Sequence, residues 1–166
     1  ADLQRLVDGA LERWGRIDVL VNSAGHGPKG DLLTISDEAW ASGMDIYLMN
    51  VIRPTRLVTP HLQAAGGGAI VNISSTSAVS GDGPAHYCAS KAALMGLTRG
   101  MAKELAPKKI RLNTLVPGPT NTPMMQGIPQ EWADAIIAGV PMGRMAEPDD
   151  IAKVAVSLAG DDSGCG

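Results

Sequence analysis

Three short apolar runs, Ile17 to Val21, Ala69 to Ser74 and Ile110 to Val116, are separated by intervals that each hold a helical pattern. Parallel strands need crossovers of a dozen or more residues, usually helical, whereas antiparallel neighbours can be joined by a tight turn. The spacing therefore predicts an α/β fold, a doubly wound parallel sheet with right-handed crossovers. Ile17 to Val21 reads as a buried strand, too apolar for a sheet edge.

Between the strands, Leu3, Leu6, Val7, Ala10 and Leu11 recur at helical spacing from Asp2 to Trp14, and Gly15 is a natural stop. Ser36 is a suitable N-cap for a long helix through Trp40 to about Leu62, with a kink expected at Pro54. Gly66-Gly67-Gly68 forms a loop before the second strand. A second long helix, rich in small residues, runs from Ala85 to Leu105. Pro117 to Pro129 reads as a loop over the carboxyl ends of the strands, long enough to suggest a functional lid. Helices at Gln130 to Ala138 and Asp149 to Ala159 complete the pattern. Neither an internal repeat nor a linker divides residues 1–166, so they form one domain.

The net charge of −3 argues against a nucleic-acid or anionic-membrane partner, which would require a basic patch. No apolar run approaches the ~20 residues of a membrane span, and no signal-peptide pattern opens the chain, so a cytoplasmic location is expected. Cys88 and Cys165 are too few and too far apart for a disulfide framework or a zinc site. No metal site is expected, and Cys88 reads as a packing residue.

The chemistry lies at the start of the second long helix. Tyr87 and Lys91 are four residues apart, which places them on one helix face, so an ammonium can sit beside a phenol and favour its ionised form. Lowering a phenol's pKa from ~10 by ~2 units takes on the order of 3 kcal/mol. Taken alone, the pair reads equally well as a helix-surface contact. Its context is more specific. Ser75 closes the strand-like run Ala69-Ile70-Val71-Asn72-Ile73-Ser74-Ser75, Asn22-Ser23-Ala24-Gly25 ends the first run, and Pro117-Gly118-Pro119-Thr120-Asn121-Thr122 follows the third.

In this order and at these spacings the segments resemble the short-chain dehydrogenase/reductase family, from about Asp2 to Gly164. Pro141-Met142-Gly143-Arg144 and Pro148-Asp149-Asp150-Ile151-Ala152 also fit that pattern. The resemblance implies a Rossmann-like fold and an NAD- or NADP-dependent oxidoreductase that interconverts a small alcohol and its carbonyl compound. It implies Tyr87 as general acid/base, Lys91 as the group that lowers its pKa and bonds the nicotinamide ribose, and Ser75 as the donor that polarises the carbonyl. Ser75 precedes Tyr87 by 12 residues and Ser74 by 13, the usual family interval. Ser75 is preferred because it is the second serine of Asn-x-Ser-Ser, and its plain alternative is a turn serine. Asn22, Ala24 and Gly25 would close over the adenine-ribose side of the cofactor, with Asn22 also holding the central strand. Pro117, Gly118, Thr120 and Thr122 would contact the nicotinamide end, Thr122 at the position that usually bonds the carboxamide.

Two features depart from the pattern. The family's tetrad includes an Asn that holds a water linking the Lys to solvent. Counting seven residues on from Trp40 and thirteen back from Pro60, that slot holds Tyr47, with Asn50 as a substitute one turn later. The strand, glycine-rich turn and ribose-reading residue that open the family fold are not found before Asn22. The chain therefore reads as the catalytic part of the fold, expected to be marginally stable and to self-associate. The two long helices match those that form dimer interfaces in the family, so a homo-oligomer is expected. Competing readings are an inactive assembly remnant and a non-redox lyase or isomerase. His86 reads as a second acid or, more often at a helix start, a polar cap or surface group, and Met124 and Met125 as pocket wall or core filler.

Overall fold

The computed structural model describes residues 2–27, 30–125 and 127–164. Three strands, β1 (Val19–Asn22), β2 (Gly68–Ile73) and β3 (Ile110–Leu115), form a parallel sheet in the order β1-β2-β3. Leu20 pairs with Ile70 and Ile70 with Leu112, so side chains of equal parity line the same face across all three strands. The helices are α1 (Asp2–Trp14), α2 (Asp37–Met44), α3 (Asn50–Ala64), α4 (Ser77–Ser80), α5 (Ala85–Leu105), α6 (Gln130–Ala138) and α7 (Pro148–Ala159).

The Ile70 face carries the core. Ile70, Ile110 and Leu112 pack with Val7 of α1, Val58 and Leu62 of α3 and Leu105 of α5. Burying a side chain of this kind contributes roughly 1.5–3 kcal/mol. On the opposite face α7 covers β2 and β3, and Ala69 and Val71 are buried there. Arg111 of β3 fastens that helix by donating to the carbonyls of Leu158, Ala159 and Gly160.

Two expectations are corrected. β1 is an edge strand, and Val19 and Val21 are 39% and 47% exposed. Among the described residues α3 packs on β1, while α7 packs chiefly on β2 and β3. The irregularity in the long helix lies upstream of Pro54, which sits inside α3. A π turn spans Asp45–Met49, and the Asn50 N–H reaches back to the Asp45 carbonyl. Proline cannot donate to the carbonyl four residues earlier, here Asn50, and its ring crowds that group. The widened turn ending at Asn50 absorbs the displacement.

The glycine loop has a steric cause. Gly67 has φ +133°, and a Cβ there would stand 2.5 Å from the Lys109 carbonyl oxygen. A Cβ on Gly68 would meet the Asp18 carbonyl oxygen closer still, so both glycines let β2 enter between its neighbours.

Candidate active site

The site lies where the carboxyl end of β2 meets the first turns of α5. Pro84 is the N-cap of α5, and four residues of helical rise place Tyr87 and Lys91 on one face. Lys91 is 8% exposed. Its Nζ donates to the Ile73 carbonyl at 2.8 Å, and the Ser74 hydroxyl donates to the Lys91 carbonyl at 2.9 Å. These two bonds run in opposite directions and pin the helix to the strand end. Burial without a carboxylate partner pulls the Lys91 ammonium down to about 8.

The Lys91 Nζ lies 5.8 Å from the ring centroid of Tyr87 and 5.8 Å from that of Tyr47, within cation–π range of both. The two phenol rings meet edge-to-face with centroids 5.1 Å apart. Tyr47 therefore occupies the expected slot and faces Tyr87 and Lys91. Burial, and then the neighbouring Tyr87, raise its phenol above the ordinary value. Its hydroxyl donates to the His26 carbonyl at 2.9 Å. Asn50 makes no side-chain hydrogen bond among the described residues, and it lies just past the π turn that holds Tyr47.

Ser75 stands at the same strand end but is turned to α4. Its Oγ donates to Ser77 Oγ at 3.1 Å and accepts the Ser77 N–H at 3.2 Å, a local turn bond typical of serine. Among the described residues neither Ser74 nor Ser75 hydrogen-bonds the Tyr87 hydroxyl. The structure brings Tyr87 and Lys91 into contact and leaves Ser75 adjacent, with its proton free to rotate elsewhere.

Asn22 is committed to the scaffold. Its amide donates to Asn72 Oδ1 at 2.8 Å and, more weakly, to Thr55 Oγ1 at 3.4 Å, and the Asn72 amide donates to Thr98 Oγ1 at 2.9 Å. This buried ladder joins β1, β2, α3 and α5 beneath the site. Ala24 and Gly25 follow in an exposed loop. A Cβ on Gly25 would lie 3.5 Å from Tyr47 Cε1, so the loop backbone rests on the Tyr47 ring.

Pro117, Gly118, Thr120 and Thr122 lie half-buried beyond β3. The Pro117 carbonyl accepts from Thr76 N–H at 2.9 Å, and Thr120 Oγ1 donates to the Gly118 carbonyl at 2.9 Å. Asn121 N–H donates to the Ala146 carbonyl while Ala146 N–H donates to the Pro119 carbonyl. These bonds tie the first half of the loop to Thr76 and Ala146. It approaches the loop after β1, since a Cβ on Gly27 would lie 3.6 Å from Met124 Cγ. Met124 itself is half-exposed.

His86 is not a surface group. It is buried against α2, with its ring 5.9 Å from that of Trp40. Cys88 is a free, half-buried thiol near the Gly83 carbonyl, and Cys165 lies outside the described residues. Among the described residues no group of three or more His, Cys, Asp or Glu could hold a metal ion, and no helix is long and apolar enough to cross a membrane.

Three contributors escaped the sequence reading: His26, Ser74 in its helix-pinning role, and Asn72. The Asn-x-Ser-Ser spacing held a signal for Asn72, because an amide inside an otherwise apolar strand needs a buried partner. His26 carried none, since its contact with Tyr47 is purely tertiary.

The donor set fits the nicotinamide end of a dinucleotide. Lys91 spends one of its three N–H groups on Ile73 and has two to offer a ribose, and the Thr120 to Thr122 segment follows β3 in the chain. The Asn22 side chain, by contrast, has both amide hydrogens directed at protein partners.

Residues 1–165 match the family model described as enoyl-(acyl carrier protein) reductase. The chain is 36% identical over 162 residues to the 3-oxoacyl-(acyl-carrier-protein) reductase FabG of Thermotoga maritima, covering 97% of this chain and 66% of that protein. It is also 36% identical over 162 residues to the meso-2,3-butanediol dehydrogenase of Serratia marcescens, covering 97% of this chain and 64% of that protein. Among solved structures, the TT0495 protein of Thermus thermophilus superposes with a TM-score of 0.91 at 36% identity, over 98% of this chain and 70% of that one. The chain thus spans roughly 66% of the length of the first of these relatives.

Proposed function

The chain belongs to the short-chain dehydrogenase/reductase family, and from that premise we propose that it interconverts a small alcohol and its carbonyl compound with NAD or NADP. The observation that carries this reading is the half-buried Tyr87 beside the buried Lys91, anchored on the Ile73 carbonyl at the carboxyl end of a parallel strand. Ligand sites of open parallel sheets lie at that end.

A bound nicotinamide supplies or accepts the hydride. Tyr87 handles the proton: in the reductive direction its O–H gives a proton to the carbonyl oxygen, and in oxidation its phenolate takes one from the alcohol. The Lys91 Nζ stands beside the ring, 5.8 Å from its centroid. Ser75 keeps its oxygen in place and turns its O–H from Ser77 toward the substrate oxygen. The Pro117 to Thr122 backbone, held by Ala146, forms the wall on the β3 side. A small carbonyl substrate accords with the names of the two relatives above, one a 3-oxoacyl reductase and the other a diol dehydrogenase. A homo-oligomer formed through the two long helices, and a cytoplasmic location, go with this reading. Ala92, Ala93, Gly96 and Gly100 of α5 offer a flat exposed strip suited to close helix packing.

The test is a fluorescence titration with NADH and NADPH of the wild-type protein and of Lys91→Ala. Saturable binding to the wild type, weakened about tenfold or more in the variant, supports the reading, since one charge-assisted hydrogen bond contributes about 1.5–3 kcal/mol. Binding that ignores Lys91, or no binding by a folded protein, overturns it.

A further inference from the structure

Tyr47 is a bulky phenol where the resembled family has a short amide, yet it is only 2% exposed. It lies within the π turn at Asp45–Met49, and such turns recur at functional positions. Three contacts meet on this one side chain. Its ring is edge-on to Tyr87 at 5.1 Å, the Lys91 Nζ lies 5.8 Å from its centroid, and its hydroxyl donates to the His26 carbonyl at 2.9 Å. A Cβ on Gly25 would rest on the same ring.

We propose that Tyr47 is the positioning residue of this site: its ring holds Tyr87 and Lys91 at a fixed separation and keeps water from the ammonium, while its hydroxyl fastens the loop after β1 over the pair. The inference rests on Tyr87 and Lys91 being the reactive pair of the oxidoreductase reading. The groups facing the ammonium are few. From α5 there is Tyr87, from the π turn Tyr47, and from β2 the Ile73 carbonyl. The loop after β1 brings His26 to Tyr47, its Nδ1 standing 3.5 Å from the hydroxyl. Among the described residues no carboxylate pairs with Lys91. The charge is therefore balanced by one carbonyl dipole and the π-electrons of two rings, and an amide-bound water would be displaced by the second ring.

Ring and hydroxyl make separable predictions. Tyr47→Phe keeps the ring and cuts the tie to His26, whereas Tyr47→Asn removes the ring and admits water. Lys91 is titrated by NMR in the full chain with labelled lysine, its signal assigned by Lys91→Arg. Tyrosinate absorbance is followed in parallel: with two tyrosines in the chain, either Tyr47 variant leaves Tyr87 as the sole phenol.

The expected result is a Lys91 midpoint near its wild-type value in Tyr47→Phe. In Tyr47→Asn it rises by about one unit or more toward the ordinary lysine value, because the desolvation is relieved. Equal midpoints in wild type and Tyr47→Asn, or equal shifts in both variants, overturn the proposal. Should Tyr47→Asn not fold by circular dichroism, the wild type decides. Nuclear Overhauser contacts between the Tyr47 ring and the Lys91 ε-methylene are expected, and their absence refutes the arrangement. None of these readouts involves cofactor or turnover, so failure here leaves the oxidoreductase reading standing. A shifted midpoint without turnover refutes that reading alone.

Discussion

Replacing Lys91 with Met should make the fold more stable at neutral pH and remove a pH dependence that the wild type shows in the alkaline range. Lys91 holds its proton with a pKa of about 8 in the fold against 10.5 in the open chain. Below pH 8 both states are protonated, and burying the ammonium costs the fold about 3 kcal/mol. Between pH 8 and 10.5 the folded chain releases its proton first, the unfolded chain binds more protons, and stability rises with pH. From pH 7 to pH 10 the gain is about 2.5 kcal/mol. Above pH 10 Tyr47 opposes it: with its phenol raised by burial and by Tyr87, the unfolded chain ionises first and stability falls again. Urea unfolding followed by far-UV circular dichroism, at one chain concentration from pH 7 to 11, should give a wild-type maximum near pH 10. Lys91→Met should be flat from pH 7 to 10 and more stable at pH 7 by about 1–3 kcal/mol, after the loss of the bond to Ile73. A wild type whose stability is flat or falls from pH 7 to 10, or a variant that follows the wild type, would refute the reasoning.

The buried amide ladder gives a second set of expectations. Asn72→Ala takes the acceptor from one Asn22 amide hydrogen and the donor from the Thr98 oxygen, which keeps its own bond to the Leu94 carbonyl, and should cost about 2–4 kcal/mol by urea midpoint. Thr98→Val leaves only the Asn72 amide short of an acceptor and should cost about 1–2 kcal/mol; equal losses would show that the ladder does not act as a connected unit.

Much of this architecture could be read in the chain because periodicity is a local property. The bounds of α5 and α6 were legible in the chain, and the three strands from short apolar runs. The position of β1 at the sheet edge was not legible, because burial of Val19 and Val21 depends on which helix reaches them rather than on their own hydropathy. Nor was the π turn, which resolves a conflict between Pro54 and the carbonyl of Asn50 one turn away from the proline itself. In the site, Tyr87 and Lys91 were legible because four residues on a helix fix their proximity. Tyr47 could be placed by counting from Trp40, but its contacts could not: its hydroxyl is satisfied by a loop twenty-one residues upstream. Asn22 was read as a ligand residue with a share in holding the strand, and its amide serves the strand, since pairing with Asn72 satisfies both buried side chains.

The measurement that bears most directly on the account is turnover by the wild-type protein and by Tyr87→Phe. Reduced nicotinamide absorbance is followed across a panel of small ketones and 3-oxoacyl thioesters, with the alcohol product quantified alongside. The account predicts alcohol formed in step with cofactor oxidised, and a rate about 100-fold or more lower in Tyr87→Phe, as for removal of a general acid. A folded Tyr87→Phe that turns over as fast as the wild type would contradict it.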